Sequence, residues 1–443
     1  MWLLCGLAWA GHPTPAVAEA DPERWVVIVL LVVAMAYLLA HFVVDWLQKR
    51  FLFVSGFEYI LLGAGLGYLS VFHDLTPLGP ILALAAGWVG LVYGMELDLR
   101  ELLNTQDGSA RIALFEGLGS GVAVAVVAHF FFASGAIRGI TPDHAWLAAG
   151  VMGCAGAAGS ASAIDLVSER YGVKTDMIAT LRRTAGLGDL VAIGVFGLIF
   201  CLFHKGSGTG ASLNWAEWTL MTVGIGVALG VMFTVFLGDD ESENSRFLAL
   251  VGIIAFASGA AFFLNLSLLA VNLILGMVVA NSMQDGAGVR GTLQGTRRPM
   301  SLVLLFFSGA LWVAPWHGQP LSWTALAPTI AITGSYIAMR MGGKLVGCWI
   351  GTAGTGQRRD IGRGLLAQGD EALAMALSLR LVYEGPAIDL AYTAILGSVM
   401  VHELLAPRLL KGLLVDAGQI RRERDGMPPA DVTPSAPAVP VEG

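Results

Sequence analysis

The chain alternates between long apolar stretches and short polar turns. Beyond the first two dozen residues, thirteen stretches are long enough, or nearly so, to cross a hydrocarbon core of about 30 Å as helices rising 1.5 Å per residue. They lie at 25–46, 56–73, 78–95, 111–136, 144–168, 178–203, 216–238, 246–263, 265–281, 299–315, 323–345, 362–380 and 387–409. Most are plain runs of Leu, Val, Ala and Gly. Two are not. The fifth contains Cys154-Ala-Gly-Ala-Ala-Gly-Ser-Ala-Ser-Ala163 and then Asp165. The twelfth contains Gln368-Gly-Asp-Glu371 where lipid-facing helix is expected. Non-helical backbone survives at membrane depth only where protein or a water-filled cavity surrounds it. The two segments are seven spans apart, so they run in opposite directions. Interrupted segments at matching places in two inverted halves point to a transporter built from inverted repeats, spans one to six and eight to thirteen. Tight small-residue helix packing is the alternative for the fifth segment taken alone.

Composition agrees. Of 443 residues, 56 % are hydrophobic and 13 % charged, against about 25 % charged in a soluble domain. A water-soluble globule and a disordered chain are both excluded, and the expected class is an all-α polytopic membrane protein. The four cysteines (Cys5, Cys154, Cys201, Cys348) are far apart and form no CxxC pair, so buried thiols are expected rather than a zinc site or disulfides. HExxH, GxSxG and a haem-ligand His pair are absent from the sequence, which argues against an enzyme. Nothing points to nucleic acid; the expected partner is the lipid bilayer.

Charge placement gives the orientation. With the N-terminus outside, 22 of the 26 Lys and Arg fall on the inner side, and Arg24, Arg138, Lys205 and Arg380 fall outside. This bias predicts thirteen spans with the C-terminus in the cytoplasm, in the inner membrane. Arg340 and Lys344 are counted here among the inner loop charges. Residues 1–20 hold a short apolar run and an Ala16-Val-Ala18 site without a basic start, compatible with a cleaved signal peptide or with an unstructured beginning. Residues 25–412 form the expected transmembrane domain, and 413–443, charged and then Pro-rich, read as a disordered cytoplasmic tail.

Asp189, in Gly186-Leu-Gly-Asp189-Leu-Val-Ala, lies about two helical turns into the bilayer from Arg182. A carboxylate there costs at least about 2.5–3.5 kcal/mol and needs a partner or a task. It can hold either a proton or a monovalent cation, and that competition is sufficient for exchange. The alternative is a buried ion pair with Arg182 or Arg183. Ser160 and Ser162 can satisfy freed backbone groups or bind the ion. Asp165 and Glu371 can be ligands, gates or partners for those arginines. Glu116 is a conduit or a packing-interface carboxyl. Glu96, Asp98 and Arg100 read as an interfacial charge cluster, and His402 with Glu403 as structural.

Several motifs together resemble the Kef-type branch of the monovalent cation:proton antiporter superfamily, the sodium/hydrogen exchanger-like proteins. They are Gly94-Met-Glu-Leu-Asp-Leu-Arg-Glu101, Ser160-Ala-Ser-Ala-Ile164 with Ser168-Glu-Arg170 and Gly188-Asp-Leu-Val-Ala-Ile193, Leu266-Ser-Leu-Leu-Ala with Gly276-Met-Val-Val-Ala-Asn-Ser282, Phe306-Phe-Ser-Gly309 and Gln368-Gly-Asp-Glu371. They fall in the family's order over about residues 30–412. The resemblance implies a thirteen-span antiporter with crossed broken helices in spans five and twelve, Asp189 as the ion-binding aspartate, Gln368 and Glu371 within the second broken segment, elevator-like alternating access and a homodimer. Potassium or sodium and protons would be transported, with no cofactor. The nucleotide-binding domain that many Kef-type proteins carry is not expected in cis. Gly188 stands where relatives carry Gln, Asn or Asp, Ser162 replaces a Thr, and Asp165 occupies a site usually apolar. Electrogenic relatives carry a Lys in segment ten, and 299–315 has none, which suggests electroneutral one-for-one exchange. Two other classes remain: an organic-anion symporter of similar inverted-repeat fold, which a buried Asp189 would repel, and a non-transporting membrane subunit.

Overall fold

A computed structural model describes residues 56–68, 79–97, 108–135, 137–206, 213–237, 243–282, 286–315 and 322–420. The signal-like start, the first expected span and the tail beyond residue 420 lie outside these. The described residues contain helices and turns and no strand. In chain order the helices are α1 (Phe57–Tyr68), α2 (Gly79–Glu96), α3 (Ser109–Ala133), α4 (Pro142–Ala157), α5 (Ala161–Tyr171), α6 (Asp176–Leu202), α7 (Trp215–Leu237), α8 (Glu243–Phe263), α9 (Leu268–Ser282), α10 (Gly286–Ala310), α11 (Trp323–Gly351), α12 (Asp370–Val382) and α13 (Pro386–Asp416). A single 3-10 turn, Ile361–Gly364, precedes α12.

Six spans are long and apolar enough to cross a membrane by length and composition: α2, α3, α4 with α5, α6, α7 and α13. Their outward faces carry bare apolar side chains, including Phe130, Leu220, Val235 and Phe236. In water such a surface would be an aggregation liability; in lipid it is the solvated face. The chain is a multi-pass, all-α membrane protein.

Three helix ends differ from the hydropathy pattern. α10 begins at Gly286 and runs through Pro299; Arg297, Arg298 and Pro299 end the apolar stretch without ending the helix. α11 continues to Gly351 and α13 to Asp416, beyond the expected ends at 345 and 409 and into the expected tail. The extension of α11 corrects the charge count. Arg340 and Lys344 are not loop residues but fully buried ones, each 0 % exposed. A hydropathy window reads such charges as a helix end, whereas here the neighbouring helices supply their partners. The positive-inside bias survives their removal.

The helices pack as two bundles. One contains α3, α4, α5, α6, α11, α12 and α13; the other contains α1, α2, α7, α8, α9 and α10. Glycines let the backbones touch within each. A Cβ at Gly343 of α11 would lie 2.5 Å from Gly119 O of α3, and one at Gly90 of α2 would lie 2.5 Å from Leu269 O of α9. Such close approach provides packing where lipid supplies no hydrophobic drive. The seam between the bundles runs mainly along α12 against α2 and α10, and along α6 against α7 and α9.

At the end of α6, His204 stacks on Trp218 of α7 with ring centroids 3.7 Å apart. Its Nε2 lies 2.8 Å from Leu264 O, an N–H donating to a carbonyl. Partial burial holds the ring's pKa below its ordinary 6.5. The unfolded chain therefore binds a proton that the folded one resists, and this corner loses stability as pH falls below about 6.5. The thermal midpoint of the solubilised protein should drop more between about pH 7.5 and 5.5 in the wild type than in His204→Gln. An equal drop in both would remove His204 as the cause.

Candidate functional site

The site begins where two helices fail. After Ala157 the small-residue run Ala158-Gly-Ser160 is extended, and α5 restarts with Ser160 as its N-cap, accepting from Ala163 N–H at 3.3 Å. After the 3-10 turn, residues 365–369 are likewise non-helical, and α12 starts at Asp370. A run of ten small residues holds a helix weakly, and Gly369 places no Cβ where Ser160 Oγ lies 2.8 Å from its ideal position. The two breaks cross, and Gly369 N–H donates to Gly159 O at 3.2 Å.

Breaking helices at this depth orphans carbonyls that water cannot reach, and buried side chains take their place. Arg340 Nη1 donates to Leu366 O at 2.7 Å, and its Nη2 donates to Ala158 O and Ala367 O, both at 2.9 Å. One guanidinium thus serves carbonyls of both breaks. Lys344 Nζ donates to Ala157 O at 3.0 Å. Gln368 Nε2 donates to Ala155 O at 3.0 Å and to Tyr336 OH at 2.9 Å, while its Oε1 accepts from Ser398 Oγ at 2.8 Å. Gln368 therefore serves as a strut of the crossing. His402 Nδ1 lies 2.8 Å from Ser398 O beneath it, a structural placement.

Asp189 of α6 points into the crossing and is 0 % exposed. Its Oδ1 accepts from Gly159 N–H at 2.6 Å. Its Oδ2 is buried without a partner. The ion pair with Arg182 or Arg183 does not form: Arg182 lies 3.4 Å from Asp165 instead. A buried carboxylate with one hydrogen bond must take up a proton or a cation. Ser160 and Ser162 stand at the same break, their hydroxyls 3.0 Å apart. Thr184, about one turn before Asp189 on α6, has a fully buried hydroxyl without a partner. Glu371 is 0 % exposed, both its oxygens lack partners, and its carboxylate folds back beside Gly369. Asp165 stands apart: its side chain is 31 % exposed and faces Arg182.

Beside Asp189 lies a pair that the sequence did not announce as one. Glu116 of α3 and Lys344 of α11 form a buried ion pair, with side chains 2 % and 1 % exposed. A Cβ at Gly188 would meet Glu116 Oε2 at 3.5 Å, so the missing side chain next to Asp189 leaves room for this carboxylate. Glu116 was visible in the sequence as an intramembrane acid. Lys344 was hidden because it stood at the edge of a hydropathy window, and 228 residues separate the two. Arg340 was hidden for the same reason.

Comparisons with known proteins show the family and the fold. The family described as sodium/hydrogen exchanger, transmembrane, matches residues 91–415. Two determinations of the sodium proton antiporter MjNhaP1 from Methanocaldococcus jannaschii share the fold. One, at pH 8, superposes with a TM-score of 0.61 at 14 % identity, over 89 % of this chain and 99 % of that one. The other, an electron-microscopy map, gives 0.57 at 14 % identity, over 90 % and 99 %. No curated protein matches the chain.

Proposed function

Because the chain belongs to the sodium/hydrogen exchanger family, a family of cation:proton antiporters, we propose that it exchanges one monovalent cation, sodium or potassium, for one proton at Asp189. The observation that carries this reading is the buried, unpartnered Oδ2 of Asp189 at the crossing of two broken helices. A proton or a cation can neutralise that oxygen, and each excludes the other. Ser160, Ser162 and carbonyls of the breaks are the hard oxygen ligands that such a cation takes. Arg340, Lys344 and Gln368 position those carbonyls. Glu371, the second orphaned carboxyl, lies beside Gly369 and Ser160 at the same crossing.

The exchange is electroneutral in this proposal. Lys344 is neutralised by Glu116, so it neither releases a proton nor counts toward the transported charge. The order of motifs favours the Kef-type branch within the family. The bundle holding the crossing moves against the other in an elevator-like step, in a homodimer in the inner membrane with the C-terminus cytoplasmic. The relative in the structural comparison is a sodium proton antiporter, which favours sodium as the first cation to test.

The test is dye-reported proton flux in proteoliposomes with sodium, potassium or lithium salts, run beside charge-displacement recordings on supported membranes. Cation-dependent flux without net charge movement is the expected result. Net charge movement would bring Glu371 or Lys344 into the stoichiometry. No flux with any cation in folded protein would turn the reading to the anion symporter or the non-transporting subunit.

A further inference from the structure

Several buried hydroxyls in these helices are spent locally. Ser120, Thr352, Ser378 and Thr393 each donate to the carbonyl four residues back, the ordinary habit of a helical hydroxyl. Ser398 of α13 does not. Its Oγ donates across to Gln368 Oε1 at 2.8 Å. His402, one turn further along α13, stands behind it. The ring Nδ1 lies 2.8 Å from Ser398 O and 3.0 Å from Ser398 Oγ. All three side chains are buried.

This chain of hydrogen bonds ends on two groups that can only accept, Ser398 O and Ala155 O. A backbone carbonyl carries no proton, so each end dictates a direction. Ala155 O, at 3.0 Å, requires the N–H of Gln368 Nε2. That turns Gln368 Oε1 toward Ser398 and makes the serine the donor. Ser398 O requires a proton on His402 Nδ1, and the same N–H faces the serine's oxygen. From either end the protons point one way, from ring to hydroxyl to amide to the last turn of α4. The other ring nitrogen, Nε2, is left buried without a partner. An apolar side chain would fill the space without that cost, so the nitrogen that has a use is Nδ1.

We propose that His402 is a positioning residue for the ion site, acting through Ser398 on Gln368. The proposal rests on the antiport reading. Gln368 precedes Gly369, whose N–H donates to Gly159 O, and Gly159 N–H donates to Asp189. The ring keeps the serine proton on the amide oxygen. The amide then keeps its N–H groups on Ala155 O and Tyr336 OH, and the two breaks hold their places beside Asp189. Without Nδ1–H the serine can return to its own helix and the amide can turn. The carbonyls offered to the cation then lose their fixed positions. The loss falls on cation affinity, because the carboxylate that exchanges proton for cation is untouched.

The test is the KM for sodium and for potassium, read beside the maximal rate of proton flux in proteoliposomes. His402→Leu should raise KM about tenfold, the worth of a hydrogen bond lost in a buried network, with the maximal rate nearly unchanged. Ser398→Ala should do the same, and the double variant should be no worse than either, because both substitutions break one chain. His402→Asn should restore the wild-type KM, since its amide nitrogen takes the place of Nδ1. A wild-type KM in His402→Leu, an Asn variant as impaired as the Leu one, or losses that add in the double variant would overturn the proposal. A second readout needs no flux. Nitrogen NMR of isotope-labelled histidine in the wild type, with the His402 signals identified by their absence in His402→Asn, should show Nδ1 protonated and Nε2 bare. The reverse tautomer would also overturn it. If the wild type shows no exchange, the antiport reading fails, while the tautomer still decides whether the ring directs the chain.

Discussion

Asp189→Asn is expected to reduce cation-dependent proton flux to the level of protein-free liposomes while the protein remains folded. The amide is nearly isosteric, and its oxygen can still accept from Gly159 N–H, so the one hydrogen bond of the native carboxylate is kept. What is lost is the capacity to alternate between a proton and a cation, which an amide does not have. A buried, singly bonded carboxylate is also a destabilising group, so the thermal midpoint should stay level or rise. The cation's own stabilising effect should vanish with it. A ligand at a hundredfold excess over its Kd stabilises the folded state by about 2.7 kcal/mol. The wild type should therefore show a cation-dependent rise in midpoint that Asp189→Asn lacks. An Asp189→Asn protein that still exchanges would end the role assigned to this residue, whatever the family.

The Glu116–Lys344 pair should give the largest change in stability. Both side chains are buried, and apart from Glu116 the Lys344 ammonium has a bond to Ala157 O. Removing one member of a buried pair leaves an uncompensated charge and costs about 3–5 kcal/mol. Glu116→Gln alone should therefore lower the unfolding midpoint strongly. Combining it with Lys344→Met should recover most of the loss, since replacing both charges is often neutral or better. Function should follow the same pattern. With Glu116 neutral, the freed ammonium has Asp189 within electrostatic range and should compete with the cation there; the double variant should regain part of the exchange, short of the wild type because Ala157 O has lost its donor. A double variant as unstable as Glu116→Gln would show that the pair's surroundings, not its charge balance, set the cost.

These two predictions divide between what could and could not be read along the chain. Asp189 was legible because a lone carboxylate in an uncharged apolar run is costly in lipid, and the cost shows in the residues themselves. The broken spans were legible for a related reason. Ten small residues in a row, and Gln-Gly-Asp-Glu inside an apolar stretch, are poor lipid-facing helix whatever surrounds them. Lys344 and Arg340 were not legible. Near the end of an apolar stretch, a buried cation and a snorkelling one look the same, and only the partner decides between them. Asp165 was open between ligand, gate and arginine partner along the chain, and the fold sets it against Arg182.

The sequence by itself determined the class of molecule, the places where its helices break and the presence of Asp189 deep in an otherwise uncharged run, because hydrophobic length, backbone propensity and the cost of a lone charge are local properties. The tertiary structure alone decided which charges neutralise each other, which side chains cap the carbonyls freed at Ala158, Leu366 and Ala367, and that Glu96 and Arg297, on two helices of one bundle, form an ion pair. Those outcomes depend on residues up to 228 positions apart, and a buried charge takes its value from whatever the fold sets beside it.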